Sequence, residues 1–352
     1  MNILIKNGRI WDGQTFFEAD ILMENGTVTD IGKDLTAQKT FIYDASGKLV
    51  VPGLVDCHMH MHGITEPIYG ISPEAICFPF GVTAAADAGA TLGDKQLLES
   101  FAVKAVVFAE AVIRDGSLDR EATLSRLANY GSRAVGIKVF YDETTQSGIH
   151  IGVLADICEL ARERSLQVMV HCNHSPTSML SIVETMASGD ILSHVYHGGK
   201  HNCTEDDFAA LKLARRKGII LDAAFAGNYH TDFGILRQAV SAGFFPDTIS
   251  TDVVKGMAYT MGGRYGLTTC MSMARTAGVP EEVILRAVTT APAKALEQNW
   301  GRLQIGGAAD LAVLEYTQEP FRLQDRSGAV LENNMGYRCK LTVSDGVVVF
   351  RD

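Results

Sequence analysis

The chain divides by the rhythm of its apolar positions. Residues 1 to about 50 alternate apolar and polar side chains in short runs, MNILIKNGRIWDG and ADILMENGTVTDIG, separated by turn residues. Period-two alternation marks half-buried strands, and the pairs Asn7-Gly8 and Asn25-Gly26 predict tight hairpins because both residue types tolerate positive φ. The same style returns in DLAVLEY (Asp310 to Tyr316) and KLTVSDGVVVFRD (Lys340 to Asp352). Neither end has enough strands to bury a core alone, so both are expected to build one small β-sandwich domain from residues 1–51 and 303–352.

Between them the pattern changes to near-continuous apolar runs, as parallel strands buried on both faces require. The predicted strands are Leu49 to Cys57, Val82 to Asp87, Val103 to Phe108, Ala134 to Phe140, Gln167 to His171, Ile191 to His194, Ile219 to Ala223 and Thr248 to Asp252. Amphipathic stretches intervene, among them DREATLSRLANYG from Asp119, VLADICELARERS from Val153, and TEDDFAALKLARRKG, where Thr204 and Asp207 resemble a capping box. Eight strand-helix units in about 250 residues predict an α/β fold, a (β/α)8 TIM barrel over residues 52–302. A doubly wound open sheet is the alternative.

Composition narrows the function classes. The chain has 352 residues, 47% of them hydrophobic, ample for a large core. The net charge of -10, with acidic residues scattered and no basic run, argues against a nucleic-acid or anionic-membrane surface and is explained by solubility, and the partner expected is a small-molecule substrate. Seven cysteines without zinc-ribbon spacing read as reduced thiols, Cys57 and Cys172 as packing residues. Met1 to Ile5 begins a short strand and lacks the regions of a signal peptide. No apolar run approaches the roughly 18 residues needed to cross a bilayer, so a soluble cytoplasmic protein, assembling as a homo-oligomer, is expected.

Chemistry-bearing residues collect at the ends of the predicted strands. VVPGLVDCHMHMHG runs an apolar segment into His58 and His60, which point the same way along a strand and can grip one divalent ion. Lys138 lies in strand four, His171 ends strand five, His194 ends strand six and Asp252 ends strand eight. Singly, His171 and His194 could be satisfied core histidines and Asp252 a helix cap. Together they aim at one barrel mouth, where such folds keep their active sites. Lys138, in AVGIKVFY, sets an ammonium among apolar neighbours and demands neutralisation, by a structural salt bridge or by carbamylation with CO2.

The ordered set H-x-H, lysine, histidine, histidine, aspartate resembles the binuclear amidohydrolase superfamily. The likeness extends to the split β domain, the PGLVD lead into His58, the segment Gly81 to Gly89, and the tail TTAPAKAL with GRLQIGGAADLAVLE. GDILSHVYHG and GFFPDTISTDVV look like the dihydroorotase-like or deacetylase branch, whose members cleave acetyl esters of α-hydroxy carboxylates. The resemblance implies two divalent metal ions, with Zn2+ the expected occupant. His58, His60 and Asp252 would hold one ion and His171 and His194 the other. Lys138, carrying a CO2-derived carbamate, and a hydroxide would bridge them, and Asp252 would act as general base and then acid.

Substrate choice is less defined. Dihydroorotases resemble H-x-H-x-R at the first motif, whereas His62 stands in the arginine position here. Arg264, in MGGRYGL, could supply the guanidinium for a substrate carboxylate. The deacetylase branch carries a histidine-glycine element near strand seven, and this chain has AAFAGNYH, with Phe225 in that region and His230 downstream. Of the five loop histidines, His62, His174, His197, His201 and His230, the expected substrate or supporting contacts are His174 and His197, with His62 a further substrate contact. Tyr229 and Tyr265 are read as packing residues. The expected reaction is hydrolysis of an acyl ester or amide of a small carboxylate metabolite. Cyclic amide or N-acyl amino acid hydrolysis is the alternative, and a non-catalytic scaffold is disfavoured because every ligand position is filled.

Overall fold

Two sheets organise the chain, and Gly53 marks the passage between them. The computed structural model describes residues 2–319, 321–333 and 335–352. Strands β1 (Asn2–Trp11), β2 (Phe16–Glu24), β3 (Thr27–Gly32), β4 (Thr40–Asp44) and β5 (Leu49–Pro52) form the N-terminal part of one sheet. The barrel strands are β6 (Leu54–Met59), β7 (Val82–Ala90) and β8 (Lys104–Glu110), then, after the small hairpin β9 (Ile113–Arg114) and β10 (Ser117–Leu118), β11 (Ala134–Phe140), β12 (Gln167–His171), β13 (Ile191–Ser193) and β14 (Ile220–Asp222). The chain ends with β15 (Leu311–Thr317), the hairpin β16 (Phe321–Gln324) and β17 (Val330–Asn333), then β18 (Gly336–Ser344) and β19 (Val347–Arg351).

Both chain ends do meet, in one continuous mixed sheet of order β19-β18-β15-β5-β1-β2-β3 with β4 on β1. β5 is the junction, parallel to β1 on one side and antiparallel to β15 on the other. Ile3, Ile21, Val50, Leu311 and Leu341 share an apolar core of this sheet. Asn25-Gly26 makes the expected turn, with φ of 50° and 78°. Asn7-Gly8 does not: it is a bulge inside β1, Asn7 at φ 58°, its amide donating to Asp20 Oδ1 at 2.8 Å. The bulge lets the first half of β1 pair with β4 and the second half with β5.

The expected first barrel strand, Leu49 to Cys57, is thus two strands of different sheets. At Gly53 the amide donates to the Asp310 carbonyl, and a Cβ would stand 2.1 Å from Thr83 Oγ1, so only glycine fits the crossing. Beyond it, β6 to β14 form a curled parallel sheet of seven strands in chain order, with helices such as Arg120–Tyr130 and Ile151–Glu163 outside. Its interior is filled by Ala84, Ala86 and Ala88 against Phe108 and Met169. The eighth position lacks a regular ladder. Segment 248–253 bridges Asp222 through Thr248 and Met59 through Val253, closing the (β/α)8 barrel. Side chains replace the ladder there: Thr248 and Ser250 hydroxyls donate to Asp222 Oδ1 at 2.9 and 2.7 Å, and Thr251 Oγ1 donates to Asp56 Oδ2 at 2.6 Å.

The capping box at Thr204 is not formed. Its hydroxyl donates instead to Asn202 Oδ1 at 2.7 Å, and Asp207 takes φ 56°, outside helical geometry. No helix among the described residues is long and apolar enough to cross a membrane.

Gly53→Ala is expected to destabilise the protein by about 1–3 kcal/mol through overpacking. Adding Thr83→Ala should recover part of that loss, which denaturant titration of the single and double variants will show.

Candidate metal centre

The ends of β6, β11, β12 and β13 and the irregular eighth segment converge on one buried cluster. His58, at the end of β6, and His60, just beyond it, both lean on Asp252, with Nε2 of each 3.2 and 3.0 Å from Asp252 Oδ1. His194 Nε2 lies 3.8 Å from Asp252 Oδ2. The His171 and His194 rings stand 4.4 Å apart at their centroids. Ligand-capable atoms of His58, His194 and Asp252 fall within 4.8 Å of one another, as do those of His171, His194 and His230. Asp252 reaches this position because its backbone sits at φ 49°, turning the carboxylate into the mouth.

The outer nitrogens decide what the inner ones can do. His58 Nδ1 donates to Asp222 Oδ2 at 3.3 Å, His171 Nε2 to Asp142 Oδ2 at 3.3 Å, and His194 Nδ1 to the Ala224 carbonyl at 2.8 Å. The Thr65 hydroxyl gives its hydrogen to Asp87, so its oxygen accepts from His60 Nδ1 at 3.4 Å. Each acceptor holds one ring proton, so the opposite nitrogen keeps a lone pair, which is how metal-binding imidazoles are oriented. His194 Nε2 is buried without a hydrogen-bond partner among the described residues, the mark of a nitrogen open to a ligand.

Electrostatics agree with this. Burial, reinforced by neighbouring imidazoles, keeps His194 neutral far below the usual histidine range, and burial lowers His171 as well. Burial would raise the Asp252 carboxyl, but His58 and His60 outweigh it and hold it well below the carboxylate range. Lys138 is fully buried, its Nζ 3.1 Å from His58 Nε2 and 5.3 Å over the Phe140 ring. Burial pulls it down to about 8, with Asp252 and Asp222 acting in the opposite sense. Neutral imidazoles at His171 and His194, an ionised carboxylate and an amine easily freed of its proton form a donor set that fits divalent cations.

The other predicted contacts scatter. His174 lies on the mouth, 3.5 Å from Asp142 Oδ2 and 3.0 Å from an Arg326 nitrogen. His197 is fully buried, with Nδ1 accepting from the Gly199 amide and Nε2 without a partner among the described residues. His62 and Arg264 are exposed, and neither side chain has a polar partner among the described residues. Reading the sequence missed the supports Asp222, Asp142 and Asn173 and passed over His230. Asp222 and Asp142 sit at or just past strand ends, a position that could have flagged them. His230 returns to the centre after Phe225 is buried and the chain turns through Ala226 and Gly227 at φ 52° and 56°. Its ring is 4.5 Å from His194, and burial with nearby His171 depresses it to about 3.

Histidines, a carboxylate and a lysine gathered at the C-terminal mouth of a parallel barrel define a candidate metal-dependent enzyme. The chain belongs to the amidohydrolase family, whose profile matches residues 49–349. Members generally depend on two metal ions, and the protein is a hydrolytic enzyme. It is 27% identical to a deacetylase of Brucella anthropi, covering 90% of this chain and 84% of that one. It is also 27% identical to a deacetylase of Enterococcus faecalis, with 93% of each covered. A dihydroorotase crystal structure superposes with a TM-score of 0.87 at 23% identity, covering 99% of this chain and 98% of the other. An adenine deaminase structure, also 23% identical, gives 0.85.

Asp142→Asn should weaken divalent-metal affinity by about 10–100-fold, because it loosens the His171 ring without removing a ligand. Competition with a chromophoric chelator measures this directly.

Proposed function

We propose that this chain is a zinc-dependent hydrolase that removes an acyl group from an ester or amide of a small carboxylate metabolite. The observation that carries the reading is the cluster of four imidazoles at Asp252, with Nε2 of His58, His60 and His194 3.2, 3.0 and 3.8 Å from its carboxylate and the His171 ring 4.4 Å from that of His194. The named deacetylase relatives, which span most of the chain, support the acyl chemistry. Two divalent ions held by these residues would lower the pKa of water into the neutral range and polarise a substrate carbonyl.

Lys138 supplies the last anionic group in this reading. Its unprotonated amine adds to CO2, forming an N–C bond and releasing one proton, and yields a carbamate. Nζ lies 3.1 Å from His58 Nε2, and among the described residues it forms no ion pair with a carboxylate, which supports the modification over a salt bridge. Asp252 takes a proton from the attacking water and returns it to the departing oxygen or nitrogen. Cyclic-amide hydrolysis is the second reading, favoured by a Pelotomaculum thermopropionicum dihydroorotase that is 23% identical over 90% of this chain.

Elemental analysis of protein expressed with zinc is expected to find two ions per chain, falling to one or none in Lys138→Ala. A panel of acyl esters, N-acyl amino acids and cyclic amides then identifies the leaving group. Metal-free, inactive protein would overturn the reading. In active protein, Asp252→Asn should lower kcat by about 10²–10⁴-fold.

A further inference from the structure

The hairpin β16–β17 belongs to the last part of the chain, yet its tip lies on the barrel mouth. Asp325 fixes it there, accepting from the Phe233 amide at 2.9 Å and from the Ser327 and Ala329 amides of its own turn. The Arg326 amide donates to the Thr231 carbonyl at 3.3 Å. Its guanidinium then meets two groups just past β12, Asn173 Oδ1 at 2.7 Å and His174 Nε2 at 3.0 Å.

An arginine can only donate hydrogen bonds. The Asn173 atom facing it is therefore the amide oxygen, and Nδ2 faces the other way, towards His230 Nδ1 at 3.0 Å and His174 Nδ1 at 3.1 Å. His174 already gives the Nε2 lone pair to Arg326. Its Nδ1 thus carries a hydrogen, directed at Asp142 Oδ2, and the 3.1 Å contact brings two donors together. The acceptor left for the amide is His230 Nδ1. A neutral imidazole that accepts at Nδ1 holds its hydrogen at Nε2. His230 is thereby the opposite of His58, His60, His171 and His194: it turns a donor inward, with Nε2 3.7 Å from Asp252 Oδ2.

We propose that His230 is a catalytic hydrogen-bond donor, its Nε2–H holding the substrate's acyl oxygen as negative charge develops on it, and that Arg326 and Asn173 are positioning residues that lock this tautomer. The assignment rests on the hydrolase reading above. Asn173 is buried, so solvent does not compete for the amide.

The test uses the full-length, zinc-loaded protein and three variants. Nitrogen-15 spectra of histidine-labelled wild type should show His230 protonated at Nε2. Asn173→Asp offers His230 only an acceptor, so the proton should move to Nδ1 and kcat should fall. His230→Ala should keep the wild-type zinc content and affinity while kcat falls about 10²–10³-fold with little change in KM, as loss of one oxyanion donor predicts. His230→Gln, which can donate from its amide, should recover part of that loss. An unprotonated Nε2 in the wild type, or a zinc ion lost in His230→Ala, would overturn the proposal and make His230 a ligand. If wild type hydrolyses nothing in the panel, the hydrolase reading falls. The nitrogen spectrum then still decides whether His230 presents a donor.

Discussion

One buried carboxylate, that of Asp222, holds both the barrel and its site. Oδ1 binds the Thr248 and Ser250 hydroxyls of the segment that closes the barrel, and Oδ2 binds the first imidazole of the candidate metal centre, His58. A parallel barrel normally closes by a regular backbone ladder, whose hydrogen bonds are evenly spaced. Here the eighth segment must bend so that Asp252 enters the mouth, and a bent segment cannot supply that ladder. Asp222 and Asp56 fill the gap by accepting hydrogen bonds from the hydroxyls of Thr248, Ser250 and Thr251. Closure of the fold and aim of the site are one solution to one constraint.

The same economy governs the imidazoles. Five histidines crowd a small volume, where positive charge on each would repel the rest, and burial keeps His171, His194 and His230 uncharged. The tautomers of the five are set from outside by two carboxylates, a hydroxyl, a carbonyl and an amide. Four outer acceptors make four inner lone pairs, and one outer donor makes one inner N–H. The chemical differentiation of otherwise identical side chains lies in residues that never reach the centre.

Much of this was legible in the sequence. The alternation in MNILIKNGRIWDG and the buried runs of the middle gave the two sheets, because burial on one face or two is written directly in periodicity. His58, His60, Lys138, His171, His194 and Asp252 could be gathered because strand ends of a barrel share a mouth. Gly53 and Asn7-Gly8 misled because glycine marks a tight turn, a bulge and a close crossing alike, and only the neighbour, Thr83 or Val50, distinguishes them. Arg326 was invisible since 153 residues separate it from Asn173, and nothing local announces a contact at that range.

The pairing of β5 with β15 has a consequence for how the protein is made. During synthesis the N-terminal strands leave the ribosome with one edge of β5 open, and more than 250 residues pass before its partner arrives. That exposed edge is a template for pairing with another nascent chain until β15 covers it. The tip bearing Arg326 emerges later still. The barrel mouth is therefore among the last parts of the protein to become whole, and a chain stalled before the terminal hairpins would carry a barrel with an unfinished rim.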